Sequence, residues 1–183
     1  MASSTKGPAV HTVDLLEGVS ASVDGRMLSV KGPLGTVKKN FHNIHVNVGV
    51  GSGKIQVTSF SGKKKDVVSS NTVSSIIRNM VTGVTRGYLY KMKVVFAHFP
   101  VTVKVKGDTV VVENFMGERS ARVTKIIGDC KVSVDGDDII IKGVSLEDVG
   151  QTSANLEQAT KVKRKDQRIF LDGVYVYEKK IGW

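Results

Sequence analysis

Three residue groups in this chain have types and spacings that can do chemistry. The first is Gly49-Val50-Gly51-Ser52-Gly53-Lys54, which carries the glycines and lysine of a phosphate-cradling loop. Such a loop needs four residues between its glycines and a Ser or Thr after the lysine, and it opens a helix whose free N–H groups meet the phosphate. Here Ile55 follows the lysine and an alternating strand follows the loop, so the spacing reads as a hairpin turn. The second group, His42 and His45, lies three apart, which brings two rings together only on a helix. The surrounding residues alternate as a strand, so the pair is expected on opposite faces. The third, Asp135, Asp137 and Asp138 around Gly136, resembles an acidic metal loop, but Ile139–Ile141 fills the positions where further ligands and a closing glutamate belong. His11 and His98 have no neighbouring carboxylate or cysteine. Cys130 is the sole cysteine, which excludes an internal disulfide and a cysteine-rich zinc site. No triad, carboxylate pair or cofactor fingerprint stands out. The expectation is a chain without catalysis, cofactor, metal or small-molecule substrate.

The chemistry that remains is electrostatic. The 27 Lys/Arg exceed the 17 Asp/Glu, leaving a net charge of +10, a surplus that folding does not require and that draws polyanions, nucleic acid foremost. The cations are segregated. Residues 25–107 hold 14 Lys/Arg and a single acid, Asp66, whereas residues 108–160 hold five bases and ten acids. Soluble surfaces ordinarily intersperse both signs, so the one-sided stretch points to phosphate. The candidate contacts are Lys63, Lys64 and Lys65, expected in the loop before a first helix. Lys91 with Lys93, and Lys104 with Lys106, each alternate on one side of a strand, and Arg119 and Arg122 are read on the neighbouring strand. Lys161, Lys163, Arg164, Lys165 and Arg168 follow a second helix. Few aromatics accompany them. Phe96, Phe99, Phe115 and Tyr88 read as packing residues, so recognition is expected through RNA shape, phosphates and 2′-hydroxyls.

The elements that must position these groups repeat. Displaced by 82 positions, Val19–Phe41 lies over Val101–Val123 without a gap. Val19, Ala21 and Val23 meet Val101, Val103 and Val105. Turn glycine Gly25 meets Gly107, and Leu28 and Val30 meet Val110 and Val112 on the returning strand. A basic strand follows in both copies, Thr36–Lys39 against Glu118–Arg122. More loosely, Val46–Val48 and Ile55–Val57 correspond to Val132–Val134 and Ile139–Ile141. Each copy then changes to a helical period, with stripes Val73, Ile76/Ile77, Met80/Val81 and Val84, and Val149, Thr152/Ser153, Leu156 and Ala159. The pattern predicts an α+β chain of two tandem related domains, 1–85 and 86–183, each a mainly antiparallel β-sheet packed against one α-helix. No apolar run reaches the roughly 20 residues of a membrane span, and Met1–Val13 lacks a secretory apolar stretch. A soluble intracellular protein away from membranes is expected.

The blocks Val30-Lys31-Gly32-Pro33-Leu34-Gly35, Asn79–Thr85 running on to Tyr90–Lys93, Ala97-His98-Phe99-Pro100, Glu113–Glu118 and Phe170-Leu171-Asp172-Gly173 together resemble one family. It is the universal large-subunit ribosomal protein numbered six in bacteria and nine in eukaryotes, in its eukaryotic or archaeal form. The likeness runs from about Val13 to Lys179. It implies two related α+β domains and binding to large-subunit ribosomal RNA near the stalk base and the sarcin–ricin region. Neighbouring ribosomal proteins there include those of the stalk base, and translational GTPases dock nearby. It also implies a cytoplasmic ribosomal location, with nucleolar assembly in a eukaryote. In the family the second domain makes much of the RNA contact, which carries over to Lys91, Lys93, Lys104, Lys106, Arg119, Arg122 and Lys161–Arg168. Arg168, Lys179 and Lys180 belong to the tail that members lay against RNA. The competing readings are a non-ribosomal tandem RNA-binding module and a small RNA-processing enzyme.

Overall fold

The computed structural model describes residues 7–51, 53–163, 165–166 and 168–183. The chain divides into two compact units, Met1–Arg86 and Gly87–Trp183. Unit 1 opens with strand β1 (Val10–Asp14), followed by β2 (Ser20–Asp24), β3 (Met27–Gly32) and β4 (Gly35–Asn40). Then come β5 (Val46–Gly51), β6 (Lys54–Ser59) and helix α1 (Lys64–Thr85). Its strands form two antiparallel three-stranded sheets, ordered β2-β3-β4 and β1-β6-β5. Period-two alternation explains the core. Leu28, Val30, Ile55 and Val57 all point inward and are 0–1% exposed. Against them α1 sets Val73, Ile77, Met80, Val81 and Val84, the stripe expected from a 3.6-residue period.

Unit 2 runs through β7 (Tyr88–Val95), β8 (Thr102–Lys106), β9 (Thr109–Glu113) and a single 3-10 turn at Phe115–Gly117. β10 (Arg122–Lys125), β11 (Lys131–Asp135), β12 (Asp138–Gly143), helix α2 (Leu146–Ala159) and β13 (Gly173–Ile181) complete it. Its sheets are β10-β9-β8 and β11-β12-β7-β13. Val110, Val112, Ile139, Ile141, Val149 and Leu156 form the core with Met92, Phe115 and Val174. The two helices begin 82 positions apart, the displacement that aligns the first hairpins. Six strands and then a helix follow in the same order in each unit, divided between two sheets, and unit 2 adds the 3-10 turn and β13, which makes its larger sheet four-stranded.

Several local expectations are corrected. Lys64 and Lys65 lie in the first turn of α1 and not in a loop, and Lys63 is its N-cap. His42 and His45 sit in a turn between β4 and β5, not on a strand, and the His45 ring meets Phe60 edge-on at 6.3 Å. In the second copy Glu118–Ala121 is loop, and the strand starts only at Arg122. The cause is local: Asn114 and Met116 take left-handed backbone at φ 58° and 52° around buried Phe115, a corner that delays the strand. The tail carrying Lys179 and Lys180 is an edge strand, β13, paired along β7.

Candidate nucleic-acid interface

On β7, Tyr90, Met92 and Val94 alternate with Lys91 and Lys93. The register pairs Met92 with Ile139 and Tyr90 with Ile141, all on the side under α2. The lysines therefore occupy the opposite face, as strand geometry requires. That face collects more cations than the sequence suggested. Lys142 of β12 and Lys131 of β11 stand directly across from each other in the ladder, on the same side as Lys91. Lys180 of β13 joins them opposite Leu89. Like charges facing one another across antiparallel strands are destabilising, so a row of this kind costs stability in the free protein. Lys131 and Lys142 come from the acid-rich part of the chain, where a segment count hides them. Their signal was the alternation of each strand, read together with pairing that only the fold supplies.

Part of this charge is neutralised internally. Glu178 accepts from Lys91 at 2.8 Å and from Lys180 at 2.8 Å. Its carboxyl is held below the usual range, chiefly by the hydrogen bond from Lys180 and then that from Lys91. The same contact with Glu178 raises Lys91. Lys179, on the bulged side of β13, rests 5.1 Å from the Tyr90 ring centroid. Lys93 is exposed and stands across the ladder from Asp138, with Asp135 beyond it, so carboxylates also lie on this face.

The smaller sheet builds a second cationic face. Val103 and Val105 of β8 pair with Val112 and Val110 toward the core, so Lys104 and Lys106 look outward. Lys104 binds Glu113 at 2.6 Å, and that hydrogen bond lowers the Glu113 carboxyl. Lys106, Thr109 and Lys125 form one outward row across the three strands. Lys125 is a further cation that reading each strand alone did not find.

Arg119 and Arg122 do not share a strand, and β9 separates β10 from β8. Arg119 is exposed in the loop before β10. Arg122, expected as a phosphate contact, is engaged within the protein itself. Its Nε and one terminal nitrogen donate to both oxygens of Glu118 at 2.9 and 2.6 Å. The other terminal nitrogen donates to the carbonyls of Ala159 and Lys161 at 2.8 and 3.1 Å. Its guanidinium also covers the Phe115 ring at 4.2 Å. Four N–H donors are engaged, and the side chain caps the last carbonyls of α2 where a cation suits the helix dipole. Glu118 is lowered mainly by this hydrogen bond.

Beyond α2, Lys161, Lys163 and Lys165 are exposed, with the Lys165 ammonium 4.5 Å from the Phe170 ring centroid. Arg168 forks onto Asp166, its Nε at 3.1 Å and a terminal nitrogen at 2.9 Å. Arg164 lies outside the described residues. In unit 1, Lys63, Lys64 and Lys65 are exposed around the start of α1. Among the described residues no cluster of three metal-ligating side chains occurs. The Cys130 thiol is half-buried and pushed up to about 11, chiefly by burial, far from thiolate chemistry at neutral pH.

The family model for ribosomal protein L6 matches the chain twice, over residues 17–87 and 99–173, one match in each unit. The chain is 44% identical over 169 residues to the large ribosomal subunit protein uL6 of Methanosarcina mazei, spanning 92% of this chain and 96% of the relative. It is 45% identical over 179 residues to that of Ignicoccus hospitalis, spanning 94% and 96%. With the Desulfurococcus amylolyticus protein of the same name it shares 46% over 170 residues, spanning 91% and 92%. Twin sheet-and-helix units, matched one by one and followed along nearly their whole length in these relatives, make this chain a member of the ribosomal protein L6 family.

Proposed function

We propose that the chain is a structural, RNA-binding component of the large ribosomal subunit. It neutralises phosphate and fixes the relative geometry of RNA segments near the stalk base and the sarcin–ricin region, beside neighbouring ribosomal proteins and the docking place of translational GTPases. The observation that carries this reading is the pair of outward cationic faces in unit 2. Lys93, Lys131 and Lys142 line one, and Lys106 and Lys125 line the other. Lys161, Lys163 and Lys165 extend the charge past α2, and Lys63–Lys65 supply it in unit 1. The sheets fix the strand positions from which the unit 2 lysines on them project, and their flexible stems let the ammonium groups reach the phosphates of folded RNA. Lys91, Lys104, Arg168 and Lys180 already hold carboxylates, so their contribution to RNA requires exchanging one anion for another. Arg122 acts by holding the end of α2. Sedimentation of cell extract tests the proposal: the chain is expected in the large-subunit fraction and to remain there through moderate salt. An exclusively free pool, or crosslinks scattered over messenger RNA, overturns it.

A further inference from the structure

At the C-terminal end of α2, a cavity of about 380 Å³ opens between the helix and the segment that returns to β13, and Glu157, Gln158, Lys161, Phe170, Gly173 and Tyr175 help to line it. Its size is at the low end of ordinary ligand sites, about 300–1,000 Å³. Phe170 and Tyr175 remain 36% and 43% exposed. Gly173 seats the second ring, since a Cβ there would fall 2.8 Å from it. Hydrogen bonds tie down the backbone at both ends of this lining. Arg122 holds the carbonyls of Ala159 and Lys161, the Thr160 hydroxyl accepts the Val174 N–H at 3.0 Å, and buried Asp172 accepts the Ala97 N–H at 3.1 Å. A preformed site loses little affinity to ordering.

The lining is chemically mixed in an informative way. Lys161 beside the cavity and Lys165 over the Phe170 ring favour an anionic ligand. Glu157 is exposed on the same wall and would repel a bare phosphate. An unstacked nucleotide reconciles them: its base has a π-face for aromatic rings and N–H donors for a carboxylate, and its phosphate has the charge for lysine. We propose that this cavity receives one splayed-out base of the bound RNA. The base stacks against Phe170 and Tyr175, its hydrogen-bonding edge meets Glu157 and Gln158, and Lys161 and Lys165 hold its phosphate. Guanine is the base that fits best, because its ring N–H and exocyclic amino group put adjacent donors before the carboxylate. This rests on the RNA-binding reading and adds a base-specific contact to it.

The test combines two measurements on the full chain. In intact large subunits irradiated at 254 nm, mass spectrometry is expected to find a guanosine attached to the peptide carrying Phe170 or Tyr175. A crosslink from that peptide to another protein, or none at all, overturns the proposal. Binding to naked large-subunit ribosomal RNA is then measured over a salt series for Phe170→Leu and for Glu157→Gln, two exposed positions at which the fold should survive. Phe170→Leu is expected to weaken binding about fivefold to hundredfold while the slope of log K against log salt stays unchanged, because no phosphate contact is lost. Glu157→Gln is expected to weaken binding by a smaller factor, again without altering the slope. Wild-type affinity in Phe170→Leu sinks the base pocket and leaves RNA binding standing. Failure of the wild-type chain to bind the RNA sinks both.

Discussion

Arg122 illustrates how an arginine that resembles an RNA contact in sequence becomes a structural clamp in the fold. Its fork joins Glu118, two carbonyls at the end of α2 and the face of Phe115. Hydrogen bonds to charged groups are worth roughly 1.5–3 kcal/mol when a partner is lost, so Arg122→Ala is expected to lower unfolding stability by about 2–3 kcal/mol in urea titrations. Arg122→Lys should recover only part of that, since an ammonium cannot span both oxygens and the carbonyls. The lowered carboxyls at Glu113, Glu118, Asp166 and Glu178 contribute to the acid response. A depressed folded-state pKa contributes stability above the unfolded value and loses it as pH falls through the folded one. Melting temperature is therefore expected to drop on acidification from about pH 4.5 downward, and Glu178→Gln should flatten that limb. A wild-type profile flat through this range would refute the assignment.

At the scale of elements, α1 is a helix made largely by its surroundings. Its sequence is rich in Ser, Thr and Val, which are weak helix formers. The hydroxyls of Ser69, Thr72, Ser75 and Thr85 fold back onto carbonyls four residues earlier. Lys64 and Lys65 in its first turn oppose the helix dipole, which favours the negative charge of Asp66 beside them. Lys64→Glu is expected to stabilise the unit by about 0.3–1 kcal/mol while weakening RNA binding, and calorimetry beside a binding assay reads both signs. Gly32 marks where the helix meets its sheet: a Cβ there would lie 2.7 Å from the Val84 side chain and 2.8 Å from the Val84 carbonyl. That carbonyl also accepts the Leu34 N–H at 3.0 Å, so it cannot easily give way. Gly32→Ala is expected to cost about 1–3 kcal/mol, measurable as a lowered urea midpoint. The helices and core strands were legible because each buries one periodic face. The 3-10 corner and the division into two sheets were not, since left-handed Asn114 and Met116 leave no periodic trace and strand pairing is non-local. The candidate interface was legible as a charge surplus. Lys125, Lys131 and Lys142 emerged only once register placed them beside cations distant in sequence.

For the whole molecule, the measurable quantity is how many phosphates are neutralised. Each contact contributes a slope of roughly 0.7–0.9 to log affinity against log salt. Replacing both Lys131 and Lys142 with Ala is expected to reduce that slope by roughly 1.4–1.8 while leaving base preference unchanged. Arg122→Ala should leave the slope unchanged wherever the fold persists. The segment charge count located the basic stretch at residues 25–107, whereas the cationic faces of unit 2 draw equally on residues beyond it. Net charge along a sequence and charge on a face are different quantities when strands fold back on themselves.

The facing Lys131 and Lys142 have a practical consequence. Without a polyanion these like charges face one another across a ladder whose slip would expose Ile139 and Ile141. Isolated chains kept in dilute buffer are thus in their least favourable medium, and multivalent anions such as sulfate should act as preservatives during storage.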